Sequence, residues 1–364
     1  MSDLSRSPEL KPAACQLPVA WYFDEAVFAE EKRKLFDPGP RYVGHELMAP
    51  KAGDFHALGW MDDAQVLVRN DAGVELLANV CRHRQSILLE GRGNVQNIVC
   101  PLHRWTYDLQ GTLLGAPHFP ENPCVKLAST PLVNWRGLLF AGGADPRRAL
   151  AGFDASDWNF SGYVFDRAIV EDYAFNWKTF IEVYLEVYHV NPFHPGLGNF
   201  ADAENFRVDY GADWSVQVVQ AKNALGRPGT PVYRKWHEAC LRHLDGRAPE
   251  QGAKWMTWFP GFMLEWYPNV LVVSHLIPRS PTRTTNVVEF YYPEEIALFE
   301  REFVEAQQAA YVETAKEDDE ICRRLERGRR ALWQQGRDDA GPYQSPMEDT
   351  MVHFHEWLRA RLGR

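Results

Sequence analysis

The sequence predicts an α+β fold in two domains, and three observations support this prediction. Short β-branched and aromatic runs separated by Gly, Asp, Asn and Pro fill residues 40–145. A turn-rich stretch follows at 142–158, and beyond it helical and strand-like patterns mix within one region. We therefore expect a small antiparallel β domain over 40–150 and a second domain of strands and long helices over 151–364.

The spacing of apolar residues predicts the individual elements. Apolar positions at helical spacing with a charged opposite face predict an amphipathic helix at 21–36. Strands of the first domain are predicted at 64–70, 74–80, 96–100 and 137–143. In the second domain, helices are predicted at 175–190, at 294–335 as one long helix or two joined helices, and at 346–362. Strands are predicted there at 214–220, 262–268, 269–278 and 284–293.

Length, charge and cysteine usage exclude several classes of protein. A chain of 364 residues suits two domains. Its 39 Lys and Arg against 49 Asp and Glu give a net charge of -10, which disfavours a nucleic-acid partner. The six cysteines are too few and scattered for a disulfide framework. Because the N-terminus lacks an apolar leader and no long apolar window follows, we expect a cytoplasmic protein that does not enter a membrane.

The segment CRHRQSILLEGRGNVQNIVCPLHRW carries the sharpest signal in the chain. Cys81 and His83 form Cys-x-His, and after sixteen intervening residues Cys100 and His103 form Cys-x2-His. Two loops that each offer one thiolate and one imidazole can hold two metals, as a cluster of two irons with cysteine on one iron and histidine on the other requires. A zinc finger would instead pair like ligands, Cys with Cys and His with His.

A second group of histidines follows in NWKTFIEVYLEVYHVNPFHPG. Four residues separate His189 from His194, and Glu182 and Glu186 lie upstream. Two histidines and one carboxylate on one face of a metal leave positions open for dioxygen and substrate, as in non-haem Fe(II) oxygenases. The histidine pair alone is weak support, since such pairs are often surface or core residues. The carboxylate must come from elsewhere in the chain.

Together the two motifs resemble those of Rieske-type non-haem iron oxygenases, the terminal oxygenase (alpha) subunits of the aromatic ring-hydroxylating dioxygenase family. Further positions that match the family are Pro101, Trp105, Tyr107 and Gly111, and the Asn-Trp-Lys segment at 176–178. The resemblance runs from about residue 20 through the C-terminal helix.

This resemblance implies a fold and an assembly. The expected fold is an antiparallel β Rieske domain over 40–150 and a helix-grip (START-like) catalytic domain, with an antiparallel sheet and long helices, over 1–39 and 151–364. Family members commonly form rings of three alpha subunits. By resemblance, Glu186 would bridge His103 of a neighbouring subunit to His189 and so give electrons a short path.

Two positions depart from the commoner family pattern. Glu186 stands where most ring-hydroxylating members have Asp, and Glu is familiar there in the branch of choline, glycine betaine and carnitine monooxygenases. Val183 stands where an Asn is usual. Inference of the substrate from the wider family is weaker for that reason.

The third iron ligand has several candidates, all acidic residues near the C-terminus. They are Glu317, Asp318, Asp319, Glu320, Glu348 and Asp349. The Lys-Glu-Asp stretch resembles the family's and favours Asp318, with Asp319 as the second choice. Glu317 and Glu320 are expected on a solvated helix face, as acidic runs usually are.

The resemblance implies a terminal oxygenase that uses dioxygen to hydroxylate or demethylate a small organic substrate, either an aromatic compound or a quaternary ammonium. Its expected cofactors are one [2Fe-2S] Rieske cluster and one mononuclear Fe(II). No Gly-x-Gly-x-x-Gly follows a strand, so NAD(P)H and flavin are expected on a separate reductase, with a ferredoxin as an optional carrier. The alternative is a Rieske-type electron-transfer protein without oxygenase activity.

The region after 230 also supplies aromatic side chains that could hold either kind of substrate, through cation-π contact or stacking. They are Tyr233, Trp236, Trp255, Trp258, Phe262 and Trp266. Filling the core is the alternative role for all six.

Overall fold

The computed structural model describes residues 16–142, 144–221, 229–247, 249 and 251–364. The start of the predicted segment 1–39 and residue 143, where a predicted strand ends, therefore lie outside the described residues. No helix in the described ranges has the length and apolar character needed to span a membrane.

The first part of the chain is built from short antiparallel strands. Helix α1 (Glu25–Glu31) continues as a π-helical turn over Lys32–Phe36, as the pattern at 21–36 predicts. The strands are β1 (Arg41–His45), β2 (Asp54–Ala57), β3 (Gln65–Asn70), β4 (Gly73–Ala78), β5 (Arg92–Asn94), β6 (Ile98–Val99), β7 (Thr106–Tyr107), β8 (Leu113–Gly115), β9 (Ser129–Thr130), β10 (Leu132–Trp135) and β11 (Leu138–Ala141). They pair in the orders β5-β2-β3-β4-β9, β6-β7-β8 and β1-β11-β10.

The second part is one large antiparallel sheet with helices on one face. After the short helix α2 (Pro146–Ala149), its strands are β12 (Tyr163–Tyr173), β13 (Ala201–Tyr210), β14 (Trp214–Ala221), β15 (Gln251–Trp258), β16 (Phe262–Tyr267), β17 (Val270–Ser280) and β18 (Arg283–Pro293). Their order is β12-β18-β17-β16-β15-β14-β13. This mixture of antiparallel sheets and long helices confirms the predicted α+β class.

Helices pack against this sheet and enclose the main core. They are α3 (Trp177–Leu185), α4 (Val190–Phe193), α5 (Leu197–Phe200), α6 (Pro231–His243), α7 (Glu294–Phe299), α8 (Arg301–Gln334) and α9 (Asp349–Leu362). Buried side chains of α6 and α8 pack against those of β14 to β18. For 294–335, where one long helix or two joined helices is predicted, the structure has two joined helices, and the last helix begins three residues later than predicted.

The predicted single helix over 175–190 is wrong at its C-terminal end. The Asn176 side chain accepts a hydrogen bond from the N–H of Lys178 and caps the start of α3, which then ends at Leu185. Glu186 is extended, with φ -93° and ψ 135°. Its carboxylate accepts a hydrogen bond from the N–H of His189 at 3.0 Å, so a turn stabilised by this side chain replaces the expected continuation.

Candidate active site and metal centres

Cys81 and Cys100 each begin a tight loop, one after β4 and the other after β6. In each loop the cysteine carbonyl accepts a hydrogen bond from the N–H four residues later, at Gln85 and at Arg104, both at 3.1 Å. Gln85 and Arg104 have φ values of 58° and 60°. The two loops therefore make the same turn, although their sequences differ.

The two thiol groups lie inside the core of this small domain. Cys81 and Cys100 are buried, and the Tyr107 hydroxyl lies 3.4 Å from Cys81 Sγ. Burial opposes ionisation of Cys81, but hydrogen bonds from Tyr107 and nearby backbone groups outweigh it and lower its pKa. A lowered pKa favours the thiolate, which is the form that binds metals.

The two imidazoles lie on the outer side of the same loops. The ring centroids of His83 and His103 are 4.8 Å apart, and His83 stacks on Trp105 at 4.8 Å with an interplanar angle of 7°. His103 is exposed. Two buried thiols and two outward imidazoles fit a [2Fe-2S] cluster with one like pair on each iron, and electrons could pass through the histidine side.

A second set of metal-binding side chains meets beside the large sheet. His189 lies in the turn after α3, His194 ends the short helix α4, and Asp318 projects from the middle of α8. The two Nε2 atoms are 3.0 Å apart. Asp318 Oδ1 lies 3.0 Å from Nε2 of His194 and 3.4 Å from Nε2 of His189. One ligand atom from each residue falls within 4.8 Å of the other two.

The outer nitrogen of each imidazole faces a carboxylate. Glu186 Oε1 lies 2.5 Å from Nδ1 of His189, and Glu317 Oε2 lies 2.7 Å from Nδ1 of His194. Each Nδ1 is therefore best placed to carry a proton, which leaves the lone pair of each Nε2 pointing into the group. Carboxylates behind metal-binding histidines fix the ring orientation in this way.

The converging atoms need a positive charge between them. Two imidazole lone pairs and one carboxylate oxygen repel one another at these distances unless a cation or a proton lies there. Burial opposes a charge on His189, but hydrogen bonds to Asp318 and Glu186 outweigh it and raise its pKa to about 10. The set of two histidines and one carboxylate, with the fourth side open to a cavity, fits Fe(II).

Glu317 corrects one expectation from the sequence. The prediction that it lies on a solvated helix face is wrong, because its side chain is 25% exposed and contacts His194. Glu317 and Asp318 are consecutive on α8, so the helix presents one carboxylate to each nitrogen of the same ring. The acidic composition of this stretch gave no indication of which face packs against the histidine.

The other acidic candidates lie outside the group. Asp319 pairs with Arg323 Nε at 2.8 Å, and Glu320 is exposed, as expected, and pairs with an arginine one turn later. Glu348 accepts the N–H of Gln344, while Asp349 accepts the hydroxyl of a nearby serine at 3.1 Å.

A cavity of about 190 Å³ adjoins the three converging side chains. Of the aromatic residues singled out in the sequence, Tyr233, Trp236 and Trp255 line it. Trp258 and Phe262 instead belong to a core on the other face of the sheet. The acidic residues among the lining side chains are Glu171, Glu186, Glu265, Asp318 and Asp319, whereas Lys316 is the one lysine or arginine in the described lining.

Glu265 is a lining residue that the sequence analysis missed. It lies on β16 and is 1% exposed. Its carboxylate accepts hydrogen bonds from the hydroxyls of Tyr267 at 2.6 Å and Tyr311 at 3.0 Å. The sequence feature that could have identified Glu265 is the presence of an acidic residue inside the apolar run FMLEWY. A carboxylate buried in such a run requires hydrogen-bond partners.

Comparisons with known proteins agree with both metal centres. Residues 160–364 match the family Ring hydroxylating alpha subunit (catalytic domain), and residues 42–131 match the family Rieske [2Fe-2S] domain. Putrescine 2-hydroxylase of Ralstonia nicotianae is 59% identical over 99% of each chain. Choline monooxygenase of Atriplex hortensis is 27% identical and is aligned over 94% of this chain and 76% of its own length.

Solved structures share the whole architecture. A quaternary ammonium Rieske monooxygenase, described for carnitine oxidation and inter-subunit electron transfer, superposes with a TM-score of 0.76 at 19% identity. The superposition covers 97% of this chain and 96% of that one.

Proposed function

This chain belongs to the family of ring-hydroxylating alpha subunits, and from that premise we propose that it hydroxylates a short linear diamine of the putrescine class. It is a Rieske non-haem iron oxygenase of the terminal oxygenase type. Its cofactors are one [2Fe-2S] Rieske cluster and one mononuclear iron. A primary diamine is a substrate class that the sequence analysis did not consider.

The observation that carries the proposal is Glu265, the one buried acid of the described lining, whose carboxylate contacts neither the two histidines nor a basic side chain. A neutral arene gains nothing from carboxylates in its binding site, and a quaternary ammonium has no N–H to donate to them. A primary ammonium can donate three hydrogen bonds to carboxylates, which makes it the better match. The 59% identity to a putrescine 2-hydroxylase over nearly the full length of both chains supports the same substrate class.

The proposed reaction converts one C–H bond into C–OH. It consumes one O2, two electrons and two protons for each alcohol and water formed. Iron bound by His189, His194 and Asp318 would supply the activation of dioxygen. Glu186 and Glu317 would hold the Nδ1 protons of the two histidines, so that both rings keep the same orientation toward the cavity.

The cluster ligands in this proposal are Cys81, His83, Cys100 and His103. The proposal also includes the domain division at residue 150 and the assignment of residues 1–39 to the catalytic domain.

Electron delivery needs a partner and, in the proposal, a second copy of the chain. The reductase would be a separate protein that takes electrons from NAD(P)H, and in some systems a ferredoxin would carry them to the oxygenase. Because the reductase uses NAD(P)H, the proposal places the enzyme in the cytoplasm. In a homotrimer, Glu186 would link His103 of one subunit to His189 of the next. His103 is exposed and the Glu186 side chain is 15% exposed, so both can be reached from outside the chain.

Turnover with a reductase tests the proposal directly. The purified enzyme is supplied with a Rieske-system reductase and NADH, and dioxygen uptake is compared for putrescine, choline and benzoate. We expect coupled uptake and 2-hydroxyputrescine with putrescine alone. Coupled hydroxylation of choline or benzoate without that of putrescine would contradict the proposal. The electron-transfer alternative predicts two irons per chain and no coupled dioxygen uptake, whereas the oxygenase proposal predicts three irons per chain and coupled uptake.

A further inference from the structure

Glu265 is a buried acid whose hydrogen-bond partners are all neutral. Within the described residues it forms no ion pair, whereas the buried acids Glu31 and Glu182 pair with Lys178 and Arg329. Its carboxylate instead accepts hydrogen bonds from tyrosine hydroxyls. A carboxylate oxygen can accept two hydrogen bonds, so this group retains capacity for a further donor from the cavity.

The side chains around Glu265 are held in place by their own contacts. Trp255 lies opposite Glu265 on β15 and donates its Nε1–H to the Tyr267 hydroxyl at 3.0 Å. That hydroxyl in turn donates to Glu265. The Tyr267 ring packs edge-on against Trp236, with centroids 6.0 Å apart. Fixed aromatic faces beside a carboxylate provide a site for an ammonium group and the methylene groups attached to it.

Helix α8 carries both a side chain that contacts Glu265 and one of the metal-binding side chains. Tyr311, which contacts Glu265, and Asp318 lie seven residues apart on α8. Seven residues make two turns and span roughly 10 Å along the axis, so both side chains lie on the same face. Both side chains line the same cavity as Glu265 and the two converging histidines.

We infer that Glu265 binds the ammonium group of the diamine that is farther from the reacting carbon, and that this anchor decides which carbon is hydroxylated. The inference rests on the proposed diamine substrate and adds the residue that determines its position. In 2-hydroxylation of putrescine, the reacting carbon is the third from the distal nitrogen.

The length of a short diamine agrees with this placement. An ammonium nitrogen hydrogen-bonded to Glu265 lies about 3 Å from the carboxylate oxygen. The third carbon of an extended chain lies roughly 4 Å beyond that nitrogen. These two lengths add to about 7 Å, which is shorter than the rise of roughly 10 Å between Tyr311 and Asp318 along α8.

The position of hydroxylation in other amines tests the anchor without any mutation. If Glu265 fixes the distal nitrogen, the wild-type enzyme hydroxylates the third carbon from that nitrogen. Cadaverine should then give the C3 alcohol, and n-butylamine should give 4-aminobutan-2-ol. If the nitrogen nearer the metal determined the position, cadaverine would give the C2 alcohol, and that product would overturn the inference.

Replacement of the carboxylate provides a second, independent test. Glu265→Gln keeps the shape and removes the charge, so the dissociation constant for putrescine should rise roughly ten- to a hundredfold. Binding is measured by calorimetry on the anaerobic holoenzyme. Iron content, the absorption of the cluster and the melting temperature are recorded for the same sample. These values should equal those of the wild type.

Glu289→Gln is the matched control. Glu289 is also fully buried and accepts hydrogen bonds from two tyrosines, Tyr42 at 2.7 Å and Tyr291 at 2.6 Å. It points to the core on the other face of the sheet and does not line the cavity. Its substitution should leave the dissociation constant for putrescine within about twofold of the wild-type value, because Glu289 lies outside the cavity and its effect is independent of binding there.

The outcomes separate the two proposals. If putrescine is hydroxylated at C2 and Glu265→Gln binds it as tightly as the wild type, the anchor is wrong and the proposed function stands. If the wild type neither binds nor hydroxylates putrescine, the proposed function fails and the anchor fails with it. If Glu265→Gln does not fold, the cadaverine product still tests the anchor, because the C3 alcohol supports it and the C2 alcohol contradicts it.

Discussion

Glu317 Oε2 lies 2.7 Å from Nδ1 of His194, while Asp318 Oδ1 lies 3.0 Å from Nε2 of the same ring. Two consecutive residues of α8 therefore hold both nitrogens of one imidazole. Such an arrangement assigns the proton to Nδ1 and directs the Nε2 lone pair toward the metal position.

Removing the charge at Glu317 should weaken iron binding. Glu317→Gln loses the carboxylate that orients His194, and such losses cost roughly ten- to a hundredfold in metal affinity. Competition with an iron chelator measures the effect. Glu320→Gln is the control, because Glu320 lies one turn away on the exposed face of α8 and pairs with Arg324. Equal iron retention in the two variants would show that Glu317 does not orient the histidine.

The choice between Asp318 and Asp319 can be made by counting irons. Asp318→Ala should leave two irons per chain, those of the cluster, because its oxygen lies among the histidine nitrogens. Asp319→Ala should keep three, because Asp319 pairs with Arg323 instead. Iron analysis together with the EPR signal of the cluster decides the question. A loss of iron in the Asp319 variant alone would reverse the assignment.

The two metal centres should be separable by substitution. His83→Ala or Cys100→Ala should remove the brown colour and the EPR signal of the cluster, because no nearby side chain replaces the lost ligand. His189→Ala should keep both signals and lose the mononuclear iron. Loss of both centres in the His189 variant would mean that this residue is needed for folding.

Electron transfer to the mononuclear iron should depend on Glu186. After loading with excess Fe(II), which offsets any loss of iron affinity, Glu186→Gln should contain all three irons, yet the reduced cluster should fail to reoxidise at the native rate when dioxygen and putrescine are added. Glu186→Asp shortens the side chain, and a displacement of about 1 Å can cost on the order of a hundredfold in rate. Rapid mixing followed by absorption measures both variants. Native reoxidation in the Gln variant would place the electron path at another residue.

Binding of the diamine should weaken in acid because of Glu265. Burial raises its pKa to about 7, against hydrogen bonds from Tyr267, Tyr311 and Tyr184 that lower it, while the charge of Asp318 adds to the rise. The three tyrosines have pKa values raised well above 10 and stay neutral in this range. Lowering the pH from 8 to 6 protonates most of Glu265, so the dissociation constant should rise about tenfold.

The raised pKa of Glu265 also determines how its contribution to folding stability changes with pH. A carboxyl group whose pKa is raised by folding binds protons more tightly in the folded state, so its contribution to stability falls as pH rises from about 4.5 to 7. Glu265→Gln should therefore be no less stable than the wild type at pH 8, and its putrescine affinity should lose the pH dependence. An unchanged pH profile in this variant would assign the titration to another group.

Local patterns in the sequence determined the two metal motifs and most of the elements. Cys81 with His83 and Cys100 with His103 are each contained in one short loop, so their spacing alone predicts their grouping. His189 and His194 are likewise close in sequence. The long helix over 294–335 follows from composition, because many residues with the same preference contribute to it. These features depend on neighbours along the chain.

Only the tertiary structure decided which acidic side chains take part. Four acidic residues in a row, 317–320, point in directions about 100° apart around α8. The packing of that helix against α3 and α6 turns two of them toward His194 and the other two away. The contact of Glu265 with Tyr311 also joins segments that are distant in sequence. Burial and hydrogen bonding between such segments set these positions, and local spacing carries no information about them.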